Sequence, residues 1–231
     1  MINCPRFLRC SASLGLLAGL ILLLSWSPPG HAGPLRVGVQ GAAGRNALTG
    51  NLPEEGSWEG QFGFGGGINL EYNATANLAL SFQPSYAPRD TRQVFKDELG
   101  NVLLAREYDL SYLSLPLIVR VTSDPEGVRG FVTAGLDLGI HLDSTVSSGS
   151  ESRNIDETFN STSIGALFGA GTLVPVGRHY ISIEVRYNQG LTDMIARGEV
   201  DPDSGLDSSS ESIKYRGLNL VVGFLFTLGG H

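Results

Sequence analysis

The sequence predicts an all-β protein: an eight-stranded antiparallel up-and-down transmembrane β-barrel preceded by a cleavable signal peptide. Three observations lead to this prediction. An apolar segment near the N-terminus has the layout of an export signal, eight later runs alternate apolar with small or polar residues, and the connections between runs are alternately short and long. Period-two alternation is the pattern of a strand with one apolar face. Turns that are short on one side and long on the other are typical of barrels in a bacterial outer membrane.

Residues 1–32 have the layout of a secretory signal peptide. Arg6 and Arg9 give a positive start, an apolar segment follows at Leu14–Leu24, and Gly30 and Ala32 are small residues at the −3 and −1 positions of a cleavage site. The apolar segment is short for a transmembrane helix. We therefore expect a removed signal peptide at 1–32 and an outer-membrane β-barrel at 33–231.

Composition excludes several classes of site and partner. Hydrophobic residues make up 42% of the chain and charged residues only 17%, which is a low charge content for a soluble surface. Both cysteines, Cys4 and Cys10, lie in the predicted signal peptide, so we expect no disulfide, thiolate metal site or cysteine nucleophile in the mature chain. Loss of Arg6 and Arg9, with no acidic residue, would take the net charge from −7 to −9, which argues against a nucleic-acid partner.

Eight alternating runs follow the predicted signal peptide, and most have the length that a tilted strand needs to cross a bilayer. They are Leu35–Ala42, Gln61–Tyr72, Leu78–Tyr86, Tyr108–Val121, Gly130–Leu142, Ser161–Leu173, His179–Leu191 and Tyr215–Leu228. The connections 73–77, 122–129 and 174–178 are short. The other four, rich in Gly, Ser, Asp and Glu, are long: 43–60, 87–107, 143–160 and 192–214. This alternation predicts four long extracellular loops and two termini on the periplasmic side.

The two faces of the runs differ in residue size. In the last run Leu218, Leu220 and Val222 share one face, whereas Gly217 and Asn219 share the other. A soluble ligand-carrying barrel of the lipocalin type would alternate as well. The small residues decide between these alternatives, because the interior of an eight-stranded barrel is only wide enough for its own side chains. We therefore expect the apolar face to meet lipid and the small, polar face to fill the lumen.

The same parity sends six charged residues into the lumen, three basic and three acidic. These are Arg36, Glu71, Arg120, Asp137, Glu184 and Arg186. Equal numbers fit an enclosed interior, since an unpaired buried charge costs several kcal/mol. Pro116 falls within the fourth run, where it removes a ladder donor, so we expect a β-bulge there.

Two segments carry a resemblance to a known family. Tyr112–Arg120, with the sequence YLSLPLIVR, resembles the YLxIPLLxK-type strand of PorT-like outer-membrane β-barrel proteins. Arg186–Met194, with the sequence RYNQGLTDM, is similar to the RYxxGLTNI-type segment of the same family. The resemblance implies a fold and a location in the bacterial outer membrane. It implies no catalytic residue.

Two patterns could carry chemistry. His141 is followed by Asp143 and Ser144, which invites a hydrolase interpretation, but nothing in the sequence fixes a nucleophile beside the imidazole, and we interpret His141 as a structural lumen residue. The acidic segment Asp201–Ser212 fails the EF-hand spacing, because Gly205 comes one place early and Ser212 replaces the bidentate Glu. We expect no metal site, cofactor or catalytic residue.

The sequence therefore favours a small non-enzymatic outer-membrane barrel with a side-chain-filled lumen. Its role would be structural, partner-binding or adhesive, or accessory to secretion. A lipid-modifying outer-membrane enzyme of the lipid A deacylase or acyltransferase type is the alternative, and a soluble lipocalin-like carrier is a weaker one. The expected partners are outer-membrane lipid and lipopolysaccharide, the barrel assembly machinery during biogenesis, and an unidentified surface or periplasmic protein.

Overall fold

A computed structural model describes residues 35–50, 56–96, 102–123, 127–148, 151–195 and 213–228. The predicted signal peptide lies outside the described residues. The strands are β1 (Leu35–Thr49), β2 (Gly56–Asn73), β3 (Leu78–Phe82), β4 (Ser85–Pro88), β5 (Thr91–Lys96), β6 (Val102–Thr122), β7 (Arg129–Ser148), β8 (Glu151–Asn154), β9 (Thr162–Val176), β10 (His179–Gly190) and β11 (Lys214–Leu228), with a 3-10 helix at Asp156–Thr158. Within these ranges, no helix is long and apolar enough to span a bilayer.

The strands form one antiparallel sheet that closes on itself. β1 pairs with β2 on one side and with β11 on the other. β3, β4 and β5 share one position in the ring, between β2 and β6. β7, β9, β10 and β11 complete the ring, and β8 folds back on β7. The all-β antiparallel prediction is confirmed.

The predicted strand count is wrong, because the described residues form eleven strands rather than eight. The third predicted run, Leu78–Tyr86, is divided near Pro84 into β3 and the start of β4, and after a second interruption at Arg89 and Asp90 the wall continues as β5, which falls in a predicted loop. At the second interruption the Leu110 N–H donates a hydrogen bond to the Asp90 side chain (3.1 Å). In a regular antiparallel pair, a backbone carbonyl would accept this hydrogen bond. β8 is a further addition inside a segment that the sequence predicted as a loop.

The irregularity expected at Pro116 lies elsewhere. The β6–β7 register shifts between Ser111 and Tyr112, not at the proline. The Pro116 carbonyl accepts a hydrogen bond from the Gln83 N–H (3.1 Å), in the gap between β3 and β4. Because the N–H and C=O of one strand residue point to the same neighbour, the missing proline donor faces this gap. The break in the neighbouring wall therefore accommodates Pro116.

The barrel has two different ends. At the turn end the strands are joined by 74–77, 123–128 and 177–178, and the terminal strand residues Leu35 and Leu228 are paired there. Gly177 has a φ of 61°, which a glycine adopts without strain in this tight hairpin. The loop end is the opposite one, where β1 ends, β2 begins and the other longer connections join the strands.

Near the turn end and in the middle of the barrel, apolar side chains face outward, as predicted. Exposed fractions reach 71% for Phe64, 59% for Leu136 and 56% for Leu218. The alternate residues face inward and are small or polar. This band of exposed apolar side chains runs around the ring and defines the membrane level of the wall.

Towards the loop end the pattern reverses. In β1 the outward position is taken by Arg45 and the inward position by Leu48, which is fully buried. In β6 the outward residues become Glu107 and Asp109, while Tyr108 lies inside with no exposed area. The apolar residues have therefore changed sides, as expected where the surroundings of the wall change from lipid to water.

This reversal corrects the prediction of four long loops. Much of the predicted loop sequence is strand, including 43–49, 56–60, 91–96, 102–107 and 143–148. The apolar parity that defines each sequence run ends where the sides exchange. The wall itself continues beyond that point.

The inward apolar residues at the loop end form a mouth core together with residues of the connections. Its buried members are Leu48, Tyr108, Leu110, Tyr112, Val146, Ile155, Phe159, Met194, Ile213 and Tyr215, with Trp58 and Ile195 packed against them. Backbone contacts join the connections to one another: Phe159 forms a β-bridge with Ile195, and the Met194 N–H donates to the Ile213 carbonyl (2.9 Å). The mouth core closes the loop end of the lumen.

Candidate functional site

All six charged residues predicted for the lumen face inward and are more than nine-tenths buried. They are Arg36, Glu71, Arg120, Asp137, Glu184 and Arg186. A seventh, Arg89, is buried with them. We refer to these seven residues as the charge layer. It lies at the membrane level of the barrel, below the mouth core.

Glu71 joins two strands that are not neighbours of each other. Its Oε1 accepts a hydrogen bond from Nη1 of Arg36 on β1 (2.9 Å), and its Oε2 accepts one from Nη1 of Arg120 on β6. The Glu71 side chain has no exposed area. One carboxylate therefore forms ion pairs with two guanidinium groups across the lumen.

Glu184 and Arg186 form a second group. Arg186 donates to both carboxylate oxygens of Glu184, at 3.0 Å from Nε and 2.8 Å from Nη2. Thr133 donates to the same carboxylate (2.7 Å), and the side-chain amide oxygen of Gln83 accepts from Arg186 (2.8 Å). Glu184 is thus the ion-pair partner of Arg186.

Asp137 is paired with Arg89. Nη2 of Arg89 lies 3.2 Å from Oδ2 of Asp137, and Nη1 donates to the Ser163 hydroxyl (2.8 Å). The Ser114 hydroxyl donates to the other oxygen of Asp137 (2.6 Å). Arg89 was missed from the sequence because Pro88, Arg89 and Asp90 interrupt the alternation and fell in a predicted loop.

Arg89 changes the charge balance of the lumen. The expected three basic and three acidic residues become four and three. Aromatic faces cover several of the guanidinium groups, and an aromatic face attracts a cation. Arg89 lies between the rings of Tyr112 (4.3 Å) and Tyr215 (4.4 Å), both of which belong to the mouth core. The ring of Phe131 lies 4.5 Å from Arg120 on the side of the turn end.

Inward glycines make room for these side chains. A Cβ on Gly169 would collide with the carboxylate of Glu184, and one on Gly139 would lie 2.7 Å from Nη2 of Arg89. A cavity of about 60 Å³ remains, lined in part by Asn46, Asp137 and Arg186, and it is large enough to hold water. The lumen is therefore packed mainly by the protein's own side chains.

His141 lies inside the loop end, between the rings of Tyr112 (5.2 Å between centroids) and Phe159 (6.1 Å). Its Nε2 is buried and has no hydrogen-bond partner among the described residues; it lies 3.9 Å from Oδ1 of Asp156. Ser144 donates to that same oxygen (3.0 Å). A catalytic triad needs the serine hydroxyl on the imidazole, whereas here both groups approach one carboxylate.

The His141–Asp143–Ser144 combination does not form in the structure. Asp143 is exposed on the outer wall, opposite Ser111 of β6, while Ser144 is buried and faces inward. Asp156, in the 3-10 helix, takes the place that the sequence had assigned to Asp143. Burial opposes its ionisation, but hydrogen bonds from Asn154 and Ser144 and the nearby His141 lower the pKa of Asp156 below its ordinary value.

The candidate calcium segment, Asp201–Ser212, lies outside the described residues. Among those that the structure describes, no group of three or more His, Cys, Asp or Glu side chains is arranged to hold a metal ion.

The family of the chain follows from a family model. The model for the outer membrane protein beta-barrel domain matches residues 27–196, which is most of the sequence. The chain belongs to this family. It is therefore a protein of the bacterial outer membrane, and the outward apolar band described above is its lipid-facing surface. The PorT-like character expected from Tyr112–Arg120 is a finer assignment than this match provides.

Solved structures of other outer membrane proteins are similar to the chain. The outer membrane protein OprG from Pseudomonas aeruginosa matches with a TM-score of 0.51 and 12% identity, over 87% of this chain and 99% of that one. Neisserial surface protein A matches with a TM-score of 0.46 and 17% identity, over 82% and 97% of the two chains. Ail, the attachment invasion locus protein of Yersinia pestis, matches with a TM-score of 0.43 and 15% identity, over 85% and 100%. No curated protein matches the chain.

Proposed function

We propose that this protein is a non-conducting, non-enzymatic outer-membrane barrel whose loop end faces the cell exterior and binds a partner there. The observation that carries the proposal is the filled lumen. The mouth core occupies the loop end, the charge layer crosses the middle, and Phe131, Leu173 and Leu225 pack together near the turn end. A solute would have to displace all three.

Conductance across planar bilayers tests the closed lumen. We expect the mature protein to give no large, stable conductance under conditions in which a general porin does. Phe159→Ala, which removes a ring from the mouth core, should also conduct poorly, because the charge layer below it is unchanged. Large stable openings of the unmodified protein would contradict the proposal.

Partner binding can be located by cross-linking. The mouth core holds the connections 155–161 and 191–195 against each other, which presents a structured surface at the loop end. A photoreactive residue in place of exposed Ser161 should capture a partner that one in place of exposed Arg178, at the turn end, does not. Capture only from Arg178 would instead favour a periplasmic partner.

A role accessory to secretion is the version of this proposal that the PorT-like resemblance supports. Tyr112–Arg120 and Arg186–Met194 contribute Arg120 and Arg186 to the charge layer, so each motif segment supplies a buried charge to the lumen. Deleting the gene and measuring which exported proteins fail to reach the surface tests this role. We also propose that residues 1–32 are removed; the intact mass of the outer-membrane form should then correspond to a chain that begins at Gly33.

A lipid-modifying enzyme is the second candidate, and the observation in its favour is the buried Nε2 of His141, which lies beside Asp156 and has no hydrogen-bond partner in the part of the chain that the structure describes. The non-enzymatic proposal expects His141→Ala to leave the lipid A mass spectrum of the cell unchanged. A changed acylation pattern in cells that produce His141→Ala at normal levels would favour the enzyme.

A further inference from the structure

The outer wall sorts its charges by sign just beyond the lipid-facing band. Arg45 on β1 and Lys214 and Arg216 on β11 face outward on adjacent strands. We call these three residues the basic arc. Across the ring, on β6 and β7, the corresponding outward residues are Glu107, Asp109 and Asp143, which we call the acidic arc. Two ring positions separate the arcs on either side.

Strand register fixes the geometry of the basic arc. Arg45 is aligned with Leu218, and Arg216 is aligned with Ala47, so the two arginines are diagonal neighbours across the β1–β11 pair. Diagonal neighbours have Cα atoms roughly 7–8 Å apart, and Lys214 lies about 6.6 Å farther along the same face of β11. The residues between them face inward, where the Tyr215 hydroxyl donates to Asn46 (2.9 Å).

The basic arc lies at the edge of the lipid-facing band. Arg45 is aligned with Phe62 on β2 as well as with Leu218 on β11, and both are exposed apolar residues of the band. Arg216 is one outward position beyond Leu218. Acyl chains that contact these apolar side chains must end near this height, so the head groups lie beside the basic arc. The membrane itself brings lipid phosphate to these residues.

The charges of the basic arc are not neutralised within the described part of the chain. Nε of Arg45 donates to the Gly60 carbonyl (2.9 Å), which orients the guanidinium without balancing its charge. No described carboxylate forms an ion pair with Arg45, Lys214 or Arg216. Arg92 provides the contrast, because this exposed arginine lies 3.8 Å from Glu107.

We propose that the basic arc binds the phosphate group of an anionic lipid in the leaflet at the loop end. Arginine forms paired hydrogen bonds with phosphate, and lysine adds a point charge. Three cations at one site, without an ion-pair partner among the described residues, favour a phosphorylated head group over a zwitterionic one. Asp109 and Asp143 of the acidic arc would repel the same lipid, so the bound lipid occupies one side of the barrel. This inference does not depend on whether the lumen conducts.

Spin-labelled lipids test the proposal directly. The mature protein is reconstituted in phosphatidylcholine vesicles that contain either spin-labelled phosphatidic acid or spin-labelled phosphatidylcholine. Electron paramagnetic resonance then gives the fraction of each label that the protein immobilises. We expect phosphatidic acid to be favoured, and R45Q/K214Q/R216Q to lower this preference at least about fivefold, which is the change that loss of one basic residue at a membrane surface predicts.

Two further variants separate charge at this site from charge in general and from folding. R92Q/R153Q/R178Q removes the same net charge from other exposed positions and should keep the preference. R45K/K214R/R216K keeps the charge of the arc and should also keep it. The mobility of unheated samples in SDS gels verifies that each variant is folded. An unchanged preference in folded R45Q/K214Q/R216Q, or an equal loss in R92Q/R153Q/R178Q, would overturn the proposal.

Discussion

The membrane-level wall and the wall at the loop end are built from the same strands with opposite patterns. At the membrane level β6 directs Leu117 and Val119 outward and Arg120 inward. Beyond the exchange of sides it directs Asp109 outward and Leu110 inward. Each face follows its surroundings, because apolar side chains are stabilised in lipid or in a protein core and charged ones in water or in ion pairs. The backbone of a β-strand accommodates either arrangement, with apolar side chains on the outer face or on the inner face.

The two regions are therefore held together by different forces. At the membrane level, the lumen is held together by ion pairs and hydrogen bonds in the charge layer, whereas the apolar side chains of the outer wall face lipid. The mouth core depends on apolar burial, as in a water-soluble protein. The same kind of substitution should thus have different consequences in the two regions.

The largest effect should come from Glu71→Leu, which leaves both Arg36 and Arg120 without their shared carboxylate. Removing one partner of a buried pair costs about 3–5 kcal/mol, so we expect at least about 5 kcal/mol for Glu71→Leu and about 3–5 kcal/mol for Arg186→Leu. Denaturant unfolding in vesicles, followed by unheated gel mobility, measures this free energy. Glu107→Leu, on the water-facing outer wall, is the control and should change it by less than about 1 kcal/mol.

Phe159→Ala should loosen the mouth core while the membrane-level ring stays intact. The cavity left by a buried phenylalanine ring costs about 3–5 kcal/mol, and we expect the loss in the free energy of local opening. Hydrogen exchange of the Met194 amide, which donates to Ile213, reports that opening. Phe168→Ala removes an outward, lipid-facing ring and should leave this amide protected. Equal deprotection in both variants would mean that the two regions unfold as one.

A single outward arginine on β7 can compare the two environments. Leu136→Arg places the charge in the apolar band and should lower the free energy of unfolding by about 2–4 kcal/mol, whereas Thr145→Arg, beyond the exchange of sides, should cost about 0–1 kcal/mol. Both positions are on the outer face of one strand. Similar costs at the two sites would show that the exchange of sides does not mark the edge of the lipid.

The smallest effect should be the pH dependence of the mouth core. The pKa of Asp156 is lower in the folded protein than its ordinary value of 3.8, so the stabilisation from its ionised form is fully present above that value and is lost as the pH falls below it. Proteolysis of the connection 155–161 should be constant from about pH 8 to 5 and faster below about pH 4. Asp156→Asn should remove this step, and a step that persists in that variant would assign it to another group.

The parts of the structure that could be predicted from the sequence are those with one constant pattern. The outward apolar parity was predicted for every run, and six lumen charges followed from the same parity. Arg89 was missed because it follows Pro88, the last residue of β4, in a segment that the sequence predicts as a loop. The wall at the loop end was missed because its alternation is reversed.

The mouth core was missed for a further reason. Ile155, Phe159, Met194 and Ile213 are separate apolar residues in otherwise polar segments. Their common location depends on contacts between connections that are far apart in the chain, such as Phe159 with Ile195. No local periodicity records such contacts. The partnership of Arg186 with Glu184 could be anticipated, since the two are neighbours on one face of β10.

The closure of the ring between its first and last strands has a consequence for how fast the barrel forms. β1 and β11 are paired along their whole lengths, from Leu35 with Leu228 to Thr49 with Lys214. β1 and β11 can therefore pair only after the strands between them have been synthesised. Pairings between residues that are distant in the sequence slow folding. Until β1 and β11 pair, both strands expose unpaired edges that could pair with another copy of the chain. Spontaneous insertion should thus be slow and sensitive to protein concentration, and a catalyst that guides the two terminal strands together would relieve both problems.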